Sequence, residues 1–484
     1  MTSLQTMNDL STLTQLMDDE STRAFVRQHR TDDVRQLALQ NSGKAVVNLP
    51  FVLDQIAGWQ MARTKLPAYA AHEGIVYPPH LNMEQCSSEA TARYKAALVS
   101  RLLAADVAHT MPADDVAHTM PADDVAHTMP AADVAHTMPA DKVAETMLVD
   151  LTGGFGIDFS FLAPLFGKAV YVERNENLCA IARHNFNCLG LTHFEAINAD
   201  GVAYLHQRVT EPADSSHRLI VFIDPARRDA NGHKVFGIED CTPDVLALKD
   251  RLMAVASCVL LKLSPMLDWH AAARAFRPYC REVHIVSVAN ECKELLLVLT
   301  PSVATDDAAS SIRLVCANDA EIFEQTVSFD LTPSNTSSLI GAGTAEYRAA
   351  EVNYEPLSID ALVGAVLCVP NASIMKAGVF SALSHAFGVT AVDRDSHLFI
   401  GRQALKGFPG KQFRILGITT LNKRELRQHL SGMTQANIAV RNFPQSVAEL
   451  RKRLKLKDGG SCYLFATTMQ GRHIIFITQP ADGC

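Results

Sequence analysis

Residues 148–163 read LVDLTGGFGIDFSFLA. The prediction of the fold starts from this stretch and extends to the segments on either side. An apolar run leads into a glycine-rich turn and then into a segment whose apolar residues have helical spacing, which predicts a strand, a tight turn and a helix. Gly153, Gly154 and Gly156 let the backbone turn tightly and approach a ligand where a Cβ atom would clash. Folds that bind dinucleotides use such turns too, so the turn alone does not identify the ligand.

Further strands follow this turn. Short apolar runs alternate with helical stretches as far as about Thr300: MLVDL, KAVYVE, FEAINAD, LIVFID, CVLLKLS, VHIVSVA and ELLLVLT. Runs of this length between helices predict buried strands of a mostly parallel sheet. The last two runs are separated only by NECKE, which is too short for a helical crossover, so we expect them to be antiparallel. Five parallel strands and a terminal hairpin form the layout of the class I methyltransferase sheet.

Four acidic residues fall at the ends of four successive predicted strands: Asp150, Glu173, Asp200 and Asp224. This is the edge at which open α/β sheets bind ligands. Each acid taken alone is more often a helix cap or a solvated loop residue. Four of them at successive strand ends are difficult to explain as coincidence, so the pattern predicts a ligand site.

The same acids favour S-adenosylmethionine over a dinucleotide. The GGFG spacing differs from GxGxxG, and Asp150 would disfavour a pyrophosphate but could meet a cationic cofactor. Glu173 is placed to accept hydrogen bonds from ribose hydroxyls, a role that acids also have in NAD-binding proteins. Asp200 could accept a hydrogen bond from an adenine amino group. Asp224, in IDPARRD, lies where the methyl group would face its acceptor.

Six longer motifs carry a family resemblance: YPPHLNMEQCSSEATARYKA, VDLTGGFGIDF, IDPARRD, LLKLSPMLD, NECKELL and PNASIMKAGVFSAL. Together they resemble a family of class I S-adenosylmethionine-dependent methyltransferases with a C-terminal THUMP-like domain, over nearly the whole chain. The resemblance implies an α/β fold: a Rossmann-like catalytic domain with a helical N-terminal domain, a ferredoxin-like segment and a small α+β THUMP-like module. THUMP domains are associated with tRNA modification, so the resemblance also implies an RNA substrate.

We therefore expect five segments: a helical N-terminal domain (1–104), a repeat insert or linker (105–147), a methyltransferase domain (148–300), a ferredoxin-like or connecting segment (301–364) and a THUMP-like basic module (365–484). The cofactor-binding residues predicted for S-adenosylmethionine are Asp150, Thr152, Gly153, Gly154, Gly156, Asp158, Glu173 and Asp200. The predicted catalytic residues are Asp224, Pro225 and Arg227.

The DPAR sequence at 224–227 differs from the DPPY of amino-methylating enzymes, in which an aromatic ring stacks on the target base. Arg227 replaces that ring, and an arginine plane can stack on a base or contact phosphate. The DPAR motif is therefore compatible with an RNA substrate, but it supports methylation of a base amino group less well than DPPY would. Lys262 and Ser264, in KLSP, are additional candidates near the substrate opening. Cys292 is predicted to be a buried structural cysteine rather than a nucleophile.

Charge is distributed unevenly along the chain. The net charge is −8, yet residues 401–457 contain thirteen Lys or Arg against two acids, so this segment is +11 and the remainder −19. RKRLKLK (451–457) and LNKRELR (421–427) could bind phosphates, with Phe408 or Phe413 offering stacking. The alternative is a solvated basic face on helices whose Leu450, Leu454 and Leu456 face a core.

Composition predicts a cytoplasmic protein. The eleven cysteines include no CxxC pair, as in proteins with reduced thiols, and we expect no metal site. The N-terminus lacks the pattern of a signal peptide. No apolar run approaches the roughly 18 residues of a membrane span.

A nine-residue phrase repeats four times from Ala105 onward, with a degenerate fifth copy, DKVAETMLV. Its histidines are His109, His118, His127 and His136. Nine residues turn a helix by about 900°, and an odd spacing alternates faces in a strand, so in either conformation successive histidines point to opposite sides. We expect a mobile or loosely packed insertion between the helical and catalytic domains rather than a metal site.

Methylation of RNA, tRNA or rRNA, is the leading functional hypothesis. The alternatives are a methyltransferase for a protein or small molecule, and a non-catalytic RNA-binding protein that retains the cofactor fold. The modified nucleotide and the oligomeric state stay open at this point.

Overall fold

The computed structural model describes residues 19–41, 48–110, 143–210, 218–226, 237–301, 311–328 and 357–481. Arg227, three of the four repeat histidines and the loop-like stretch 332–346 lie outside these residues. The chain divides into two compact units. The first comprises Met1–Val283 and Glu294–Ala309, and the second His284–Lys293 and Ser310–Cys484.

The first unit begins with helices, as predicted. They are α1 (Glu20–His29), α2 (Val34–Gln40), α3 (Leu49–Lys65), α4 (Pro67–Ala71), α5 (His80–Gln85) and α6 (Glu89–Thr110). The hydroxyl of Ser88 accepts the N–H of Thr91 at 3.2 Å and so caps the start of α6. Tyr69 of α4 packs in one core with Phe155 and Ile157 from the glycine-rich turn. The helices and the turn therefore share buried surface.

Seven strands follow, at the positions that the apolar runs predict: β1 (Thr146–Asp150), β2 (Lys168–Glu173), β3 (Phe194–Asn198), β4 (Arg218–Ile223), β5 (Cys258–Leu263), β6 (Cys280–Val288) and β7 (Glu291–Leu299). The helices among them are α7 (Ile157–Leu162), α8 (Glu176–Cys188), α9 (Gly201–Thr210), α10 (Val245–Val255) and α11 (Trp269–Ala275), and a 3₁₀ turn spans Ala163–Leu165. Among the described helices of the whole chain, none is long and apolar enough to cross a membrane.

The strand order is β3-β2-β1-β4-β5-β7-β6. Strands β1 to β5 pair in parallel, and β7 runs antiparallel to β5. A two-residue turn joins β6 to β7, with Ala289 and Asn290 both at positive φ, 51° and 62°. Such turns match the twist of a hairpin, and the antiparallel arrangement predicted for this pair is confirmed. Strands β6 and β7 each pass from one unit into the other.

The second unit contains a hairpin of β8 (Ser311–Asn318) and β9 (Glu321–Ser328). A seven-stranded sheet follows in the order β11-β12-β10-β13-β16-β15-β14. Its strands are β10 (Val366–Pro370), β11 (Thr390–Ala391), β12 (Phe399–Gly401), β13 (Gly410–Thr419), β14 (Asn437–Arg441), β15 (Tyr463–Met469) and β16 (Arg472–Pro480). The helices are α12 (Ala372–Ala377), α13 (Phe380–Phe387), α14 (Lys423–Leu430) and α15 (Val447–Leu454), with a 3₁₀ turn at Ile359–Leu362.

One expectation for this unit is wrong. Phe408 and Phe413 are each only 4% exposed, so neither ring is available for stacking on a base. Phe408 packs against Phe387, with ring centroids 5.3 Å apart, and Phe413 against Phe465, at 4.9 Å. Side chains alternate between the two faces of a strand, and Phe413 lies on the face of β13 that builds the core.

Candidate cofactor and catalytic site

The glycine-rich turn between β1 and α7 uses its three glycines in different ways. Gly154 and Gly156 have positive φ values of 57° and 81°, in the region that favours glycine. A Cβ atom on Gly153 would lie 2.3 Å from the ring of Tyr171, and one on Gly156 would lie 2.6 Å from Phe186. A Cβ atom on Gly154 would meet, among the described atoms, only the carbonyl oxygen of Thr152, at 3.7 Å. Packing therefore requires glycine at 153 and 156, whereas position 154 borders open space.

Asp150 and Thr152 connect the ends of two neighbouring strands. The carboxylate of Asp150 accepts the N–H of Thr152 at 2.9 Å, and the Thr152 hydroxyl accepts the N–H of Asp224 at 2.7 Å. Asp150 is 1% exposed, and this burial raises its pKa well above the usual value. In this structure Asp150 holds the turn, and its predicted role toward a cofactor stays a prediction.

Glu173, at the end of β2, also supports the turn. Its two carboxylate oxygens accept the N–H groups of Gly154 at 2.8 Å and of Asn175 at 2.7 Å. The hydroxyl of Tyr171, in the same strand, donates to the carbonyl oxygen of Gly154. The backbone on both sides of Gly154 is thus fixed by side chains of β2.

Asp200, two residues after β3, is exposed and caps α9. One of its carboxylate oxygens accepts the N–H groups of Val202 and Ala203, each at 3.0 Å. The next residue was not singled out from the sequence. A Cβ atom on Gly201 would lie 2.1 Å from the carbonyl oxygen of Leu151, so glycine is needed for the start of α9 to approach the end of β1.

Asp224 follows β4 and pairs with Lys262 of β5. Its carboxylate lies 2.5 Å from the Lys262 ammonium, and the Asp224 side chain is 38% exposed. Burial would lower the pKa of Lys262, but the carboxylates of Asp224, Asp158 and Glu294 raise it well above its usual value. Lys262 is therefore a permanent cation beside the predicted catalytic acid.

Asp158, predicted to bind cofactor, lies in a buried ion cluster. Its carboxylate is 3.1 Å from the Lys95 ammonium and 3.8 Å from that of Lys262, and it accepts the Ser87 hydroxyl at 2.7 Å. Burial would raise the pKa of Asp158, but the two ammonium groups hold it below the usual value. Ser87, Lys95 and Glu294 were not predicted from the sequence. The one available signal was a charged residue beside apolar runs, in YKAALV and in KELLLVL.

The remaining candidates are more dispersed. Pro225 is buried, and Ala226 exchanges two backbone hydrogen bonds with Thr242. Ser264 accepts the N–H of Met266 at 3.2 Å. Cys292, in the second unit, is half-buried, and its thiol donates to the carbonyl oxygen of Ala372 at 3.3 Å. The structure thus brings Asp150, Thr152, Glu173 and Asp224 around one turn, and holds Asp158 in the cluster with Lys262.

Two family models match the C-terminal part of the chain. A THUMP domain-like model matches residues 410–480, and a ferredoxin-like domain model matches residues 367–409. A ferredoxin-like or connecting segment was predicted at 301–364, and the residues that the model matches lie later in the chain. The five domain boundaries stay a prediction.

Among solved structures, a candidate methyltransferase from Porphyromonas gingivalis W83 matches with a TM-score of 0.69 and 25% sequence identity, over 96% of this chain and 98% of that chain. A SAM-dependent methyltransferase from Agrobacterium tumefaciens matches with 13% identity and a TM-score of 0.26, over 36% of this chain and 60% of its own. An rRNA methylase from Streptococcus thermophilus matches with 17% identity and a TM-score of 0.24, over 33% and 90%. These last two likenesses are too partial to support an inference.

A search of the curated proteins found no match. The match over the whole chain and the THUMP domain-like model agree with the resemblance that the sequence motifs carry. This chain therefore has a methyltransferase-like α/β fold with a helical N-terminal region and a THUMP-like domain at its C-terminus.

Proposed function

We propose that this protein is an S-adenosylmethionine-dependent methyltransferase whose methyl acceptor is RNA, either tRNA or rRNA. The observation that carries the proposal is the edge of the sheet at which β1, β2, β3 and β4 end. At this edge Gly154 borders open space, and Asp150, Glu173, Asp200 and Asp224 lie at or just after the four strand ends. The whole-chain likeness to a candidate methyltransferase supports the same reaction class.

The residues at this edge fit the cofactor. Gly154 leaves room where any other residue would place a Cβ atom. Glu173 and Asp200 already accept backbone N–H groups, but a carboxylate offers about four acceptor positions, so capacity remains for ribose hydroxyls and an adenine amino group. When bound, the cofactor supplies an electrophilic methyl group on a sulfonium. The turn at 153–156 and these two acids would hold it.

Asp224 is the residue best placed to act on the methyl acceptor. Its carboxylate is partly exposed at the sheet edge and is oriented by Lys262. Because the pKa of Lys262 is raised, its ammonium group keeps its proton and does not serve as the base. In this proposal Asp224 accepts a hydrogen bond from the acceptor group, and takes its proton as the methyl group is transferred.

The second unit provides the support for RNA. Lys423, Arg424 and Arg427 of α14 are exposed, as are Lys452 and Lys455 in and just after α15. They belong to the basic segment of net charge +11, and the THUMP domain-like match covers them all. Clustered lysine and arginine residues bind phosphate backbones independently of sequence.

The test is incubation of the full chain with methyl-labelled S-adenosylmethionine and total RNA from its own host, followed by digestion and identification of the labelled nucleoside. We expect the wild-type protein to label one class of RNA. Asp224→Ala should abolish this labelling and should still bind the cofactor and RNA. Asp244→Ala, which removes the exposed cap of α10, serves as the control and should keep activity.

Three outcomes would contradict the proposal in different ways. Label that persists in RNA with Asp224→Ala would overturn the catalytic assignment of Asp224. Label that enters host protein or a small molecule, but not RNA, would favour the alternative acceptor class. An enzyme that binds RNA and cofactor without any transfer would favour the non-catalytic alternative.

A further inference from the structure

Lys95, in the N-terminal half of α6, is a fully buried cation. Its side chain is 0% exposed, and its ammonium lies 2.6 Å and 2.7 Å from the two carboxylate oxygens of Glu294 and 3.1 Å from Asp158. Buried ion pairs of this kind often stabilise a fold no more than apolar residues of the same size would. Stability alone therefore does not account for a lysine at this position.

The cluster continues from Lys95 to the catalytic edge through Lys262. The Lys262 ammonium lies 2.5 Å from Asp224 and 3.8 Å from Asp158, and it donates to the Ser87 hydroxyl at 3.1 Å. Glu294 also acts on Lys262 electrostatically. Strand β7 runs antiparallel to β5, with Lys262 opposite Leu296 and Leu263 opposite Leu295. Glu294 is the residue before Leu295, so this register brings it to the end of β5 that carries Lys262.

The two ammonium groups thus share the Asp158 carboxylate, at 3.1 Å from Lys95 and 3.8 Å from Lys262, and Lys95 also pairs with Glu294. With Lys95 present, Asp158 and Glu294 have a close cation, and Lys262 makes its shortest contact with Asp224. Without Lys95, both buried carboxylates would lack that cation, and a buried unpaired charge is strongly unfavourable. The Lys262 ammonium is already 3.8 Å from Asp158, so it would be drawn inward and away from Asp224.

We propose that Lys95 is a positioning residue for the methyl-transfer site: by pairing with Asp158 and Glu294 it leaves Lys262 free to orient Asp224. The inference rests on the proposed function only in giving Asp224 its role toward the acceptor. Under this proposal, helix α6 of the helical N-terminal region contributes a residue that orients the catalytic site, in addition to packing against the sheet.

The test uses Lys95→Met in the full chain and two measurements. The first is the ¹⁵Nζ NMR signal of Lys262, identified by its loss in Lys262→Met, which reports the partner of that ammonium without any substrate. The second is methyl transfer to total host RNA at saturating cofactor. We expect the Lys262 signal to move and kcat to fall by about tenfold or more, because small displacements of catalytic groups cost on the order of 100-fold. KM for the cofactor should change little.

A second variant keeps the test decisive if the single change impairs folding. Lys95→Met combined with Glu294→Gln removes one of the two carboxylates that would attract Lys262. The combined variant should return the Lys262 signal toward its original position and recover most of the lost kcat. A Lys262 signal and kcat unchanged in both variants, despite lower thermal stability, would overturn the proposal and leave the cluster a structural clamp.

Arg101→Met is the matched control. Arg101 lies six residues further along α6 and pairs with Glu282 of β6 at 3.2 Å, so its loss also weakens the contact between helix and sheet. It should lower Tm while leaving the Lys262 signal and kcat unchanged. If wild-type protein labels no RNA, the proposed function fails, but the Lys262 signal in Lys95→Met still decides whether Lys95 positions Lys262.

Discussion

Gly153 and Gly154 are neighbours whose substitution should have opposite consequences. In Gly153→Ala the new methyl group would meet the buried ring of Tyr171 at 2.3 Å, and overpacking of this kind costs about 1–3 kcal/mol or more. In Gly154→Ala the methyl group meets open space, so the stability loss should be limited to about 1–2 kcal/mol of backbone strain. The same methyl group would stand where the cofactor is proposed to bind, and affinity should fall about tenfold, or about 1.4 kcal/mol.

Thermal denaturation and calorimetric titration with S-adenosylhomocysteine separate the two effects. Gly153→Ala should lower Tm most, and Gly154→Ala should lower affinity most. Equal affinity of Gly154→Ala and wild type would show that the cofactor does not approach this part of the turn.

Asp150 predicts a pH dependence whose sign follows from burial. Its folded-state pKa is raised well above the reference of 3.8, so on raising the pH the unfolded chain ionises first and the folded state loses stability. Asn cannot ionise and can still accept the N–H of Thr152. Asp150→Asn should therefore be more stable than wild type near neutral pH, and the difference should vanish below pH 3.8.

Urea denaturation of both proteins across this pH range is the measurement. A less stable Asp150→Asn at neutral pH would mean that the folded protein uses an ionised carboxylate here. Cofactor affinity measured on the same samples tests the role that the sequence predicts for Asp150, because loss of a charge that meets the cofactor would weaken binding without weakening the fold.

Single residues were predictable where local pattern fixes their place. Asp150, Glu173 and Asp224 follow from the point at which an apolar run stops, and the structure puts each at or directly after a strand end. The pairing of Lys95 with Glu294 joins residues 199 positions apart. Periodicity is a local property, so it gives no information about such a pair.

Elements were predicted best where burial on both faces leaves a continuous apolar run. Strand β1 is buried at every residue, and its run was plain in the sequence. Strand β14 (Asn437–Arg441) is at most half-buried, so its sequence carries only a weak apolar pattern. Phe413 was misassigned for a related reason: basic neighbours in the sequence do not show which face of β13 an aromatic residue occupies.

Helix α14 is the element on which the RNA proposal can be tested most directly. Every one of its residues is exposed or half-buried, so Lys423, Arg424 and Arg427 can be replaced together by Gln without disturbing a core. RNA affinity should fall, and the slope of log affinity against log salt concentration should decrease by up to about three, one for each phosphate that is no longer neutralised. The measurement is fluorescence anisotropy with host tRNA over a range of salt concentrations, using the full chain.

Arg451→Gln is the control in α15, because Arg451 already pairs with Asp458 at 2.6 Å and donates to the carbonyl oxygen of Ala436. It should affect stability more than the salt slope. A slope unchanged in the triple variant would identify α14 as a solvated basic face, the alternative that the sequence left open.

For the whole molecule, the order of the motifs along the chain was more informative about the family than any single motif. A glycine-rich turn is shared by several α/β folds, and a basic segment is shared by many proteins. The succession of six motifs through the chain implied one family, and a solved structure of a candidate methyltransferase aligns over 96% of the chain. The substrate is not determined by this agreement, because function depends on particular sites rather than on the fold.

The repeat gives the last prediction, which concerns how the chain is joined. Deleting residues 106–141 removes 36 residues, the length of four nine-residue units, including the last residues of α6, and keeps the degenerate copy from Lys142 into β1. The ion pairs that connect α6 to the sheet, from Lys95 and Arg101, lie before the deletion. Strand β1 is held by its pairing with β2 and β4, and shortening the connection to roughly a ninth of its length changes the free energy of loop closure by only about 2 kcal/mol.

We therefore expect the shortened protein to keep its Tm within a few degrees, its affinity for S-adenosylhomocysteine and its methyl transfer to RNA. Deleting one, two, three and four units in turn provides an internal series, since a linker effect should grow smoothly with length. Loss of cofactor binding at any step would contradict the interpretation of the repeat as an insertion. A zinc-dependent change in Tm that disappears with the deleted units would instead restore a metal-binding role for its histidines.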